Sequence, residues 1–315
     1  MADELGETLQ SIKSIIGVEN VVLVQRDGLP VASAGVWFSK DEVFAVASAA
    51  CAIFGVARLI HGDFKYLLME SETSKVFLAS LPGNPSYFLT ITTAPRVNLA
   101  ALFIEMKDNL SRVSYLLRQH LDGRLPPLRS YSADETQRIL TGFSVVEGRD
   151  VKKLMSRPII SLDRTQASSL RAVLRQVHDS IPAVESVFLA LNGGVRVSLD
   201  GFTNDRLAAM SFALHDASER VVRTLRNSGL QTVLCETSRI RHFIYSVPNG
   251  VLSLWVDGDS QKLGLMRLLL KHYIEETKRI LSTPTVTMPS VAEDLRQLLL
   301  SDEPERGLLL ARRDT

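Results

Sequence analysis

The sequence has little of what marks most redox, nucleic-acid-binding or secreted proteins. It holds two cysteines, Cys51 and Cys235, and both lie in apolar stretches, which is typical of reduced thiols that pack as small hydrophobic side chains. With 36 Lys and Arg against 35 Asp and Glu, the formal net charge is +1, so no charge excess favours a nucleic acid or an anionic membrane as partner. No signal peptide opens the sequence, and we therefore expect a cytoplasmic protein.

The signatures of common active sites are also missing. Neither glycine-rich phosphate-binding pattern occurs, nor does the serine elbow of the α/β-hydrolases. The six histidines have no metal-ligand spacing to one another or to a cysteine. They are His61, His120, His178, His215, His242 and His272. The sequence therefore predicts a protein that is not an enzyme, with no catalytic residue, no cofactor and no metal site.

One stretch, residues 43–60, has the length of a membrane span. Nearly half of its positions are Ala, Ser or Gly, and Arg58 lies inside it. A lipid-spanning helix is normally more hydrophobic and free of such a charge. We expect a buried helix rather than a transmembrane segment.

What the sequence does contain is an internal repeat. Residues 17–35 recur without a gap at 183–201, and seven positions are identical between the two copies. Asp27-Gly28 in the first copy and Asn192-Gly193-Gly194 in the second supply turn residues between two apolar runs. Each copy therefore predicts a β-hairpin, and its glycines and acid serve the turn rather than a reaction.

Both hairpins lie in the same predicted series of elements: helix, strand, strand, helix, three strands, helix. This duplication predicts two domains, at 1–120 and 163–282. In the first domain we expect helices at 3–16, 40–60 and 97–117, and strands at 64–70, 75–81 and 87–93 after the hairpin. In the second we expect a first helix striped by Leu170–Ile181, then helices at 204–225 and 263–281, and strands at 230–236, 241–247 and 252–257.

Two further segments have a composition of their own. The connector 121–162 contains a capping box, Ser132–Glu135, which predicts a short helix. The tail 283–315 contains another, Ser290–Glu293, followed by an apolar face that predicts a short amphipathic helix. A helix this short is marginal alone in water, so it docks either on its own chain or on a partner.

The middle helices of the two domains differ in charge. Asp216, Glu219, Arg220 and Arg223 form one charged face in the second domain and a candidate face for a charged partner. The helix of the first domain has no charge from Val43 to Ala57, so we expect it to be covered on two sides. Its candidate protein-interface residues are Ala45, Ala49, Ala52, Ile53, Gly55 and Val56. The alternative is that the connector or the tail covers this helix.

The order of elements, with Gly17-Val18 leading into Val21–Leu23 and then Asp27-Gly28-Leu29-Pro30-Val31, resembles the roadblock family of dynein-associated light chains. That family includes the Ragulator scaffold subunits and bacterial polarity proteins that act on small Ras-like GTPases. The likeness covers residues 3–118 and, more weakly, 165–282, where Gly193-Gly194-Val195-Arg196 departs from the pattern.

The resemblance implies an α+β fold. Each unit would be a five-stranded antiparallel sheet with helices on both faces, and two units would join through the strands after their middle helices to make ten strands. The pairing elements would be helix 40–60 with strand 64–70, and helix 204–225 with strand 230–236. The two copies could pair inside one chain as a pseudo-dimer, or each could pair with another chain.

For function, the resemblance implies a non-catalytic platform, either a scaffold or a GTPase-activating partner, for a small Ras-like GTPase or a related roadblock-type subunit. The alternative is a structural, self-assembling subunit of motility, polarity or trafficking machinery, with homo-oligomers as its signature. A small-ligand sensor would need a pocket that the sequence does not indicate.

Overall fold

A computed structural model describes residues 2–35, 40–119, 159–160, 162–181, 184–192, 194–199, 205–226, 228–258, 263–282 and 287–288. The helices are α1 (Ala2–Lys13), α2 (Lys40–His61), α3 (Leu99–Gln119), α4 (Arg164–Ser180), α5 (Asp205–Arg226) and α6 (Leu263–Leu281). The strands of the first half are β1 (Val18–Gln25), β2 (Pro30–Gly35), β3 (Tyr66–Ser71), β4 (Lys75–Ser80) and β5 (Tyr87–Thr93). Those that follow are β6 (Ile159–Ile160), β7 (Val184–Leu191), β8 (Arg196–Ser198), β9 (Leu230–Glu236), β10 (Ile240–Val247), β11 (Gly250–Asp257) and β12 (Thr287–Met288).

The two repeated hairpins form as the turn residues predict. Gly28 has φ of 92° and Gly194 has φ of 80°, a conformation that glycine adopts without the steric cost of a Cβ. The backbone N–H of Leu29 donates to Asp27 Oδ1 at 3.1 Å, so the aspartate serves the turn.

Ten of the strands form one antiparallel sheet in the order β2-β1-β5-β4-β3-β9-β10-β11-β7-β8. The first five come from the first half of the chain and the last five from the second half. The halves meet at β3 and β9, which pair from Tyr66↔Glu236 to Ser71↔Leu230. Because each of these strands closes the other's open edge, the expected ten-stranded pairing is made within one chain.

Side-chain contacts also join the two halves at this point. The hydroxyl of Tyr66 donates to Glu236 Oε2 at 2.5 Å, and Arg267 Nη2 lies 2.7 Å from Glu70 Oε2. Each contact links one half of the chain to the other. We call the paired strands β3 and β9, with these contacts, the central joint.

Side chains alternate between two faces of the sheet. Leu67 and Met69 of β3 belong to a core beneath α2 and α5. Leu68, between them, points to the opposite face, as does its β4 neighbour Phe77, whose ring contacts Phe103 of α3 at 5.5 Å between centroids. The middle helices therefore cover one face of the sheet, and α3 covers the other face of the first half.

The number of residues between corresponding positions of the two halves is not the same along the whole chain. The pairs β3-β4 and β9-β10 keep the spacing of the first hairpin, so that Tyr66↔Ala79 matches Thr232↔Tyr245. In the last strand, Tyr87 of β5 corresponds to Gly250 of β11, whereas the spacing of the first hairpin would match it with Ser253. The reason is the turn before this strand, which is six residues long between β4 and β5 and two residues long between β10 and β11.

One residue of the first predicted helix is placed differently. The apolar stripe predicts a helix that reaches Ile16, but α1 ends at Lys13 and Ile16 is 92% exposed in the turn before β1. Gly17, which follows with φ of 91°, needs a conformation incompatible with a continuing helix.

The chain divides into two compact units, one of residues 1–130 with 164–283 and a smaller one of residues 131–163 with 284–315. In the smaller unit, β12 pairs with β6 through Thr287↔Ile160 and Met288↔Ile159. The predicted short helices, at Ser132–Glu135 in the connector and Ser290–Glu293 in the tail, lie outside the described residues. The predicted division of the chain into domains 1–120 and 163–282, connector 121–162 and tail 283–315 stays a prediction.

Candidate protein interface

The two middle helices, α2 and α5, lie side by side on one face of the sheet. Residues of both, Ile53 and Phe54 from α2 with Leu214 and Val222 from α5, belong to the same buried core. Part of the apolar surface of α2 is therefore covered by α5.

The burial pattern aligns the two helices so that Val43 of α2 corresponds to Ser211 of α5. In this alignment every pair in the following set is buried in both helices. The pairs are Val43/Ser211, Val46/Leu214, Ala47/His215, Ala50/Ser218, Ile53/Val221 and Phe54/Val222. The charged residues Asp216, Glu219, Arg220 and Arg223 then correspond to Ser48, Cys51, Ala52 and Gly55. The outward surface of α5 is thus charged through Glu219, Arg220 and Arg223, whereas the corresponding surface of α2 is uncharged.

The six predicted interface residues of α2 do not all lie at the surface. Ala52 and Gly55 are exposed, and Ala45, Ala49 and Val56 are partly buried. Ile53 is fully buried in the core and is removed from any surface role, because it lies on the side of the helix that packs on the sheet. Leu59 is not among the six predicted residues, but it is 76% exposed on the same side of α2 as Ala52 and Gly55.

We call Ala45, Ala52, Gly55 and Leu59 the α2 strip. Ala52, Gly55 and Leu59 recur at intervals of three and four residues, the spacing of one helix face. A Cβ added at Gly55 would meet no atom within 4 Å. Apart from Leu59, the strip therefore consists of small residues. It carries no charge and leaves room for a large side chain of a partner.

The four predicted charged residues of α5 form two ion pairs. Asp216 accepts hydrogen bonds from Nε and Nη2 of Arg220, the first at 3.1 Å, and Glu219 accepts from Arg223 Nη2 at 2.5 Å. Asp216 is nearly buried, whereas Arg220 and Arg223 extend outward. We call these four residues the α5 strip. Such i,i+4 ion pairs contribute only about 0.3–0.5 kcal/mol each to stability. Their main effect is to hold the charged groups in fixed positions.

Two histidines from opposite halves of the chain meet at the end of α2. His61 Nε2 lies 3.0 Å from His242 Nδ1, and His242 Nε2 lies 2.8 Å from the Ser253 hydroxyl. Trp255 stacks on His242 at 4.5 Å between centroids and also contacts His61. Neither histidine has a distinctive local context in the sequence, so only the folded chain shows that they form a further contact between the halves.

Burial lowers the pKa of His61 to about 4. Burial, and after it the charge of His61, also lowers the pKa of His242 well below its usual value. Both rings are therefore neutral at pH 7, so one donates and the other accepts in their shared hydrogen bond.

Within the described residues, no group of three His, Cys, Asp or Glu side chains is arranged to hold a metal ion. Among the same residues, Glu42–His61 is the single stretch of helix long and apolar enough to cross a membrane. It packs instead on the sheet and on α5, as the core cluster shows.

The exposed glycine of the α2 strip yields a direct stability test. Gly55→Ala should raise the free energy of unfolding by about 0.5–1 kcal/mol, since alanine loses less backbone entropy in a helix and finds open space here. Gly6→Ala in α1, also with no atom within 4 Å, should behave alike. Gly28→Ala should instead destabilise, because its φ is 92°. Urea unfolding curves measure all three, and a loss of stability in Gly55→Ala would contradict the open geometry.

Part of the chain matches a known protein family. The Roadblock/LC7 domain family model matches residues 4–93. No curated protein matches the sequence.

Three solved structures have folds similar to parts of the chain. One is a Roadblock/LC7 domain from Streptomyces avermitilis, with 18% identity, a TM-score of 0.34 and coverage of 36% of this chain and 98% of that one. Another is MglB from Myxococcus xanthus, with 17% identity, a TM-score of 0.33 and coverage of 37% and 96%. A gliding protein, mglB, from Thermus thermophilus has 14% identity, a TM-score of 0.34 and coverage of 38% and 92%. Residues 4–93 therefore match the Roadblock/LC7 domain family, and the second half of the chain has the same order of strands and helices as the first.

Proposed function

We propose that this chain is a non-catalytic, cytoplasmic binding platform for a small Ras-like GTPase or a related roadblock-type subunit. It would act as a scaffold or as a GTPase-activating partner. The observation that carries the proposal is the pair of strips on one sheet face, uncharged on α2 and ion-paired on α5. The two platform-forming domains would be residues 1–120 and 163–282, with 121–162 and 283–315 as connector and tail.

The α2 strip has the properties of a contact core. Ala52 and Gly55 let another backbone approach closely, and Leu59 offers an exposed apolar anchor beside them. Interface centres are typically depleted of charge, whereas a solvated helix face is usually rich in it. An uncharged exposed strip next to a normal charged one is therefore better explained by a partner than by water.

The α5 strip supplies the polar side of the platform. Arg220 and Arg223 are half exposed, and each is held in place by its own carboxylate. Preordered charges at the border of an apolar contact favour one partner over others and steer its approach. The two strips together have an apolar centre on α2 and a charged border on α5.

The kind of partner follows from the Roadblock/LC7 domain and from the roadblock family resemblance, which implies small Ras-like GTPases. No side chain on either strip is arranged to activate a nucleophile in the described structure. An effect on GTP hydrolysis would therefore come from reshaping the GTPase rather than from a residue of this chain.

The test is retention of GTP-loaded and GDP-loaded cytosolic GTPases on the immobilised full chain. We expect retention in one nucleotide state, and a loss of about tenfold or more for Gly55→Arg, because a long charged side chain would stand in the contact centre. Gly6→Arg is the matched control, since it changes the same residue type at an equally open helical position on another helix. It should bind as the unaltered chain does.

Two results would count against the proposal. One is no retention of any GTPase in either state; the other is an equal loss of binding in Gly55→Arg and Gly6→Arg. Concentration-dependent oligomers that Gly55→Arg abolishes, with no nucleotide-dependent partner, would support the structural, self-assembling alternative instead.

A further inference from the structure

A groove of about 750 Å³ runs between α6 and the neighbouring ends of β9 and β10. It lies on the face of the sheet opposite to α2 and α5, so it is separate from both strips. Its lining comes from both halves of the chain, because Glu70 and Glu72 of the first half border it beside the central joint. A space of this volume is within the range of small-molecule sites.

The floor of the groove reaches solvent. Thr232, Tyr245 and Val247 line it and are 9%, 7% and 8% exposed. Leu234 and Phe243, the neighbouring residues on the same face of the same strands, are 0% exposed. The sheet is therefore fully covered as far as these two residues and becomes accessible where the groove begins.

The turn after β10 explains part of this opening. The turn between β4 and β5 has six residues, whereas the turn between β10 and β11 consists of Pro248 and Asn249 alone. Pro248 lines the groove. A turn this short leaves the second half of α6 without the cover that the longer turn gives to α3.

The helices above the two turns are also held differently. In the first half, the Ser114 hydroxyl of α3 donates to the Pro82 carbonyl at 2.5 Å, which ties the helix to the long turn. The residue of α6 at the position of Ser114 is Lys278, whose long charged side chain cannot make this close contact. The alignment matches residues that are buried in both helices, namely Leu102/Met266, Met106/Leu270 and Val113/Thr277. The groove is therefore a consequence of the sequence of the second half.

Two ion pairs neutralise most of the charge at the rim. Arg267 Nη2 lies 2.7 Å from Glu70 Oε2, so this pair joins α6 to β3 at one end of the groove. Lys278 Nζ lies 2.8 Å from Glu275 Oε1, and both residues belong to α6. These four charged groups already have partners and leave no net charge.

One cation and one carboxylate remain at the rim. Lys271 lies one helical turn after Arg267, and Glu72 lies two residues after Glu70. Both are exposed, and among the described residues neither forms an ion pair with the other or with a third side chain. A ligand with one negative and one positive group matches these two charges.

The first half does not have this combination. Lys107 of α3 corresponds to Lys271 in the alignment of the helices and lines a smaller groove of about 640 Å³. The residue that corresponds to Glu72 is Ser238, because the strand pairs Glu70↔Lys75 and Glu236↔Arg241 match. Only the groove under α6 therefore has both free charges, and we expect one site per chain.

We propose that the groove under α6 binds a small zwitterion with an apolar body, of the kind formed by a free α-amino acid or a short peptide. Its carboxylate lies at Lys271 and its ammonium group at Glu72. Its apolar part covers Tyr245 and Val247 and contacts Ile274. The apolar part gains by leaving water in a site that is already formed, and the charged groups stay at the rim, where they keep part of their hydration.

Calorimetric titration of the full chain with L-leucine and with leucyl-leucine tests the proposal. We expect saturable binding at one site per chain, and the tighter of the two ligands shows whether an amino acid or a peptide is the source. N-acetyl-L-leucine has no ammonium group and L-leucinamide has no carboxylate. Each should bind roughly threefold to tenfold more weakly than leucine, because each lacks one of the two charged contacts.

Two variants assign the charges to their residues. Lys271→Gln should weaken leucine binding roughly threefold to tenfold and leave leucinamide binding unchanged, because leucinamide has no carboxylate to lose a contact. Glu72→Gln should weaken leucine binding to a similar degree and leave N-acetyl-leucine binding unchanged. Both residues are exposed, so the melting temperature should stay that of the unaltered chain.

Lys107→Gln is the matched control, since it removes the corresponding charge from the other half and should leave leucine binding unchanged. Three outcomes would overturn the proposal. They are no saturable binding at millimolar leucine or leucyl-leucine, binding of N-acetyl-leucine or leucinamide as tight as that of leucine, and an equal effect of Lys271→Gln and Lys107→Gln. The last result would mean that the ligand responds to overall charge and not to this groove.

Discussion

Leu68→Ala and Leu234→Ala should each lower the free energy of unfolding by about 2–5 kcal/mol, as truncation of a fully buried leucine does. The two residues lie opposite each other in the central joint, and both are fully buried. Their side chains lie on the same face of the sheet, in one cross-strand row with Phe77 and Phe243. Since a domain is stable by only about 5–15 kcal/mol, either change removes a large part of the total.

The position of these residues makes a second effect measurable. Because the two leucines touch across the joint, the double variant should depart from additivity by roughly 0.5–3 kcal/mol. A continuous sheet also predicts that both halves unfold in one transition, seen as coincident urea curves by fluorescence and circular dichroism. Two independent domains would give strictly additive losses and two transitions.

Ile104→Ala is the control for these variants. Ile104 lies on α3 and is 73% exposed, so its truncation should change stability by no more than about 0.5 kcal/mol. Light scattering should give a particle near 34.9 kDa, one chain, for the unaltered protein. A particle of twice that mass that dissociates in Leu68→Ala would mean that β3 pairs with another chain.

The strands and helices themselves could be predicted because their signals are local. Tyr87–Thr93, Leu230–Glu236 and Leu263–Leu281 have the predicted limits, since period, turn residues and prolines all lie within or next to each segment. The repeat added the order of elements, and the roadblock resemblance added the sheet that they form.

What could not be predicted depends on distance along the chain. The Tyr66–Glu236 bond joins residues 170 positions apart, and no local pattern indicates it. The resemblance left open whether β3 would meet β9 of its own chain, because both strands suit either pairing.

The candidate interface could be predicted only in part, for a related reason. The missing charge from Val43 to Ala57 correctly indicates that α2 differs from α5, but not which of its sides remains exposed. Ile53 and Gly55 are two residues apart in an uncharged helix, and only packing on the sheet separates the buried one from the exposed one. The charged strip, by contrast, has polar residues at helical spacing and could be located from sequence alone.

Acid should weaken the contact between His61 and His242 before carboxylates begin to titrate. The pKa of His61 is about 4 in the folded chain and near 6.5 when unfolded, so the unfolded state binds a proton first as pH falls. The stabilisation is complete above about pH 6.5 and is lost as pH falls toward 4, at about 1.4 kcal/mol per pH unit for each such histidine. At about pH 5 the loss from His61 alone is about 2 kcal/mol, and His242 adds to it in the same direction.

The hydrogen bonds explain why the second proton is costlier than the first. A protonated His61 can still donate to a neutral His242, whose other nitrogen faces the Ser253 hydroxyl. When both rings are protonated, two N–H groups face each other at 3.0 Å between nitrogens, and the His242 ring is fully buried. The contact joins α2 to β10, so its loss weakens the contact between the two halves on the side of the sheet that α2 and α5 cover.

Urea unfolding at several values from about pH 7 to about pH 5 measures this slope. His61→Gln removes one titrating group while keeping a side chain that can hydrogen-bond, so the slope should fall by roughly half. His272→Gln is the matched control, because His272 is 79% exposed and its change should leave the slope intact. An equal slope in His61→Gln and the unaltered chain would show that other groups cause the acid response, and the two histidines would then be a pH-independent contact.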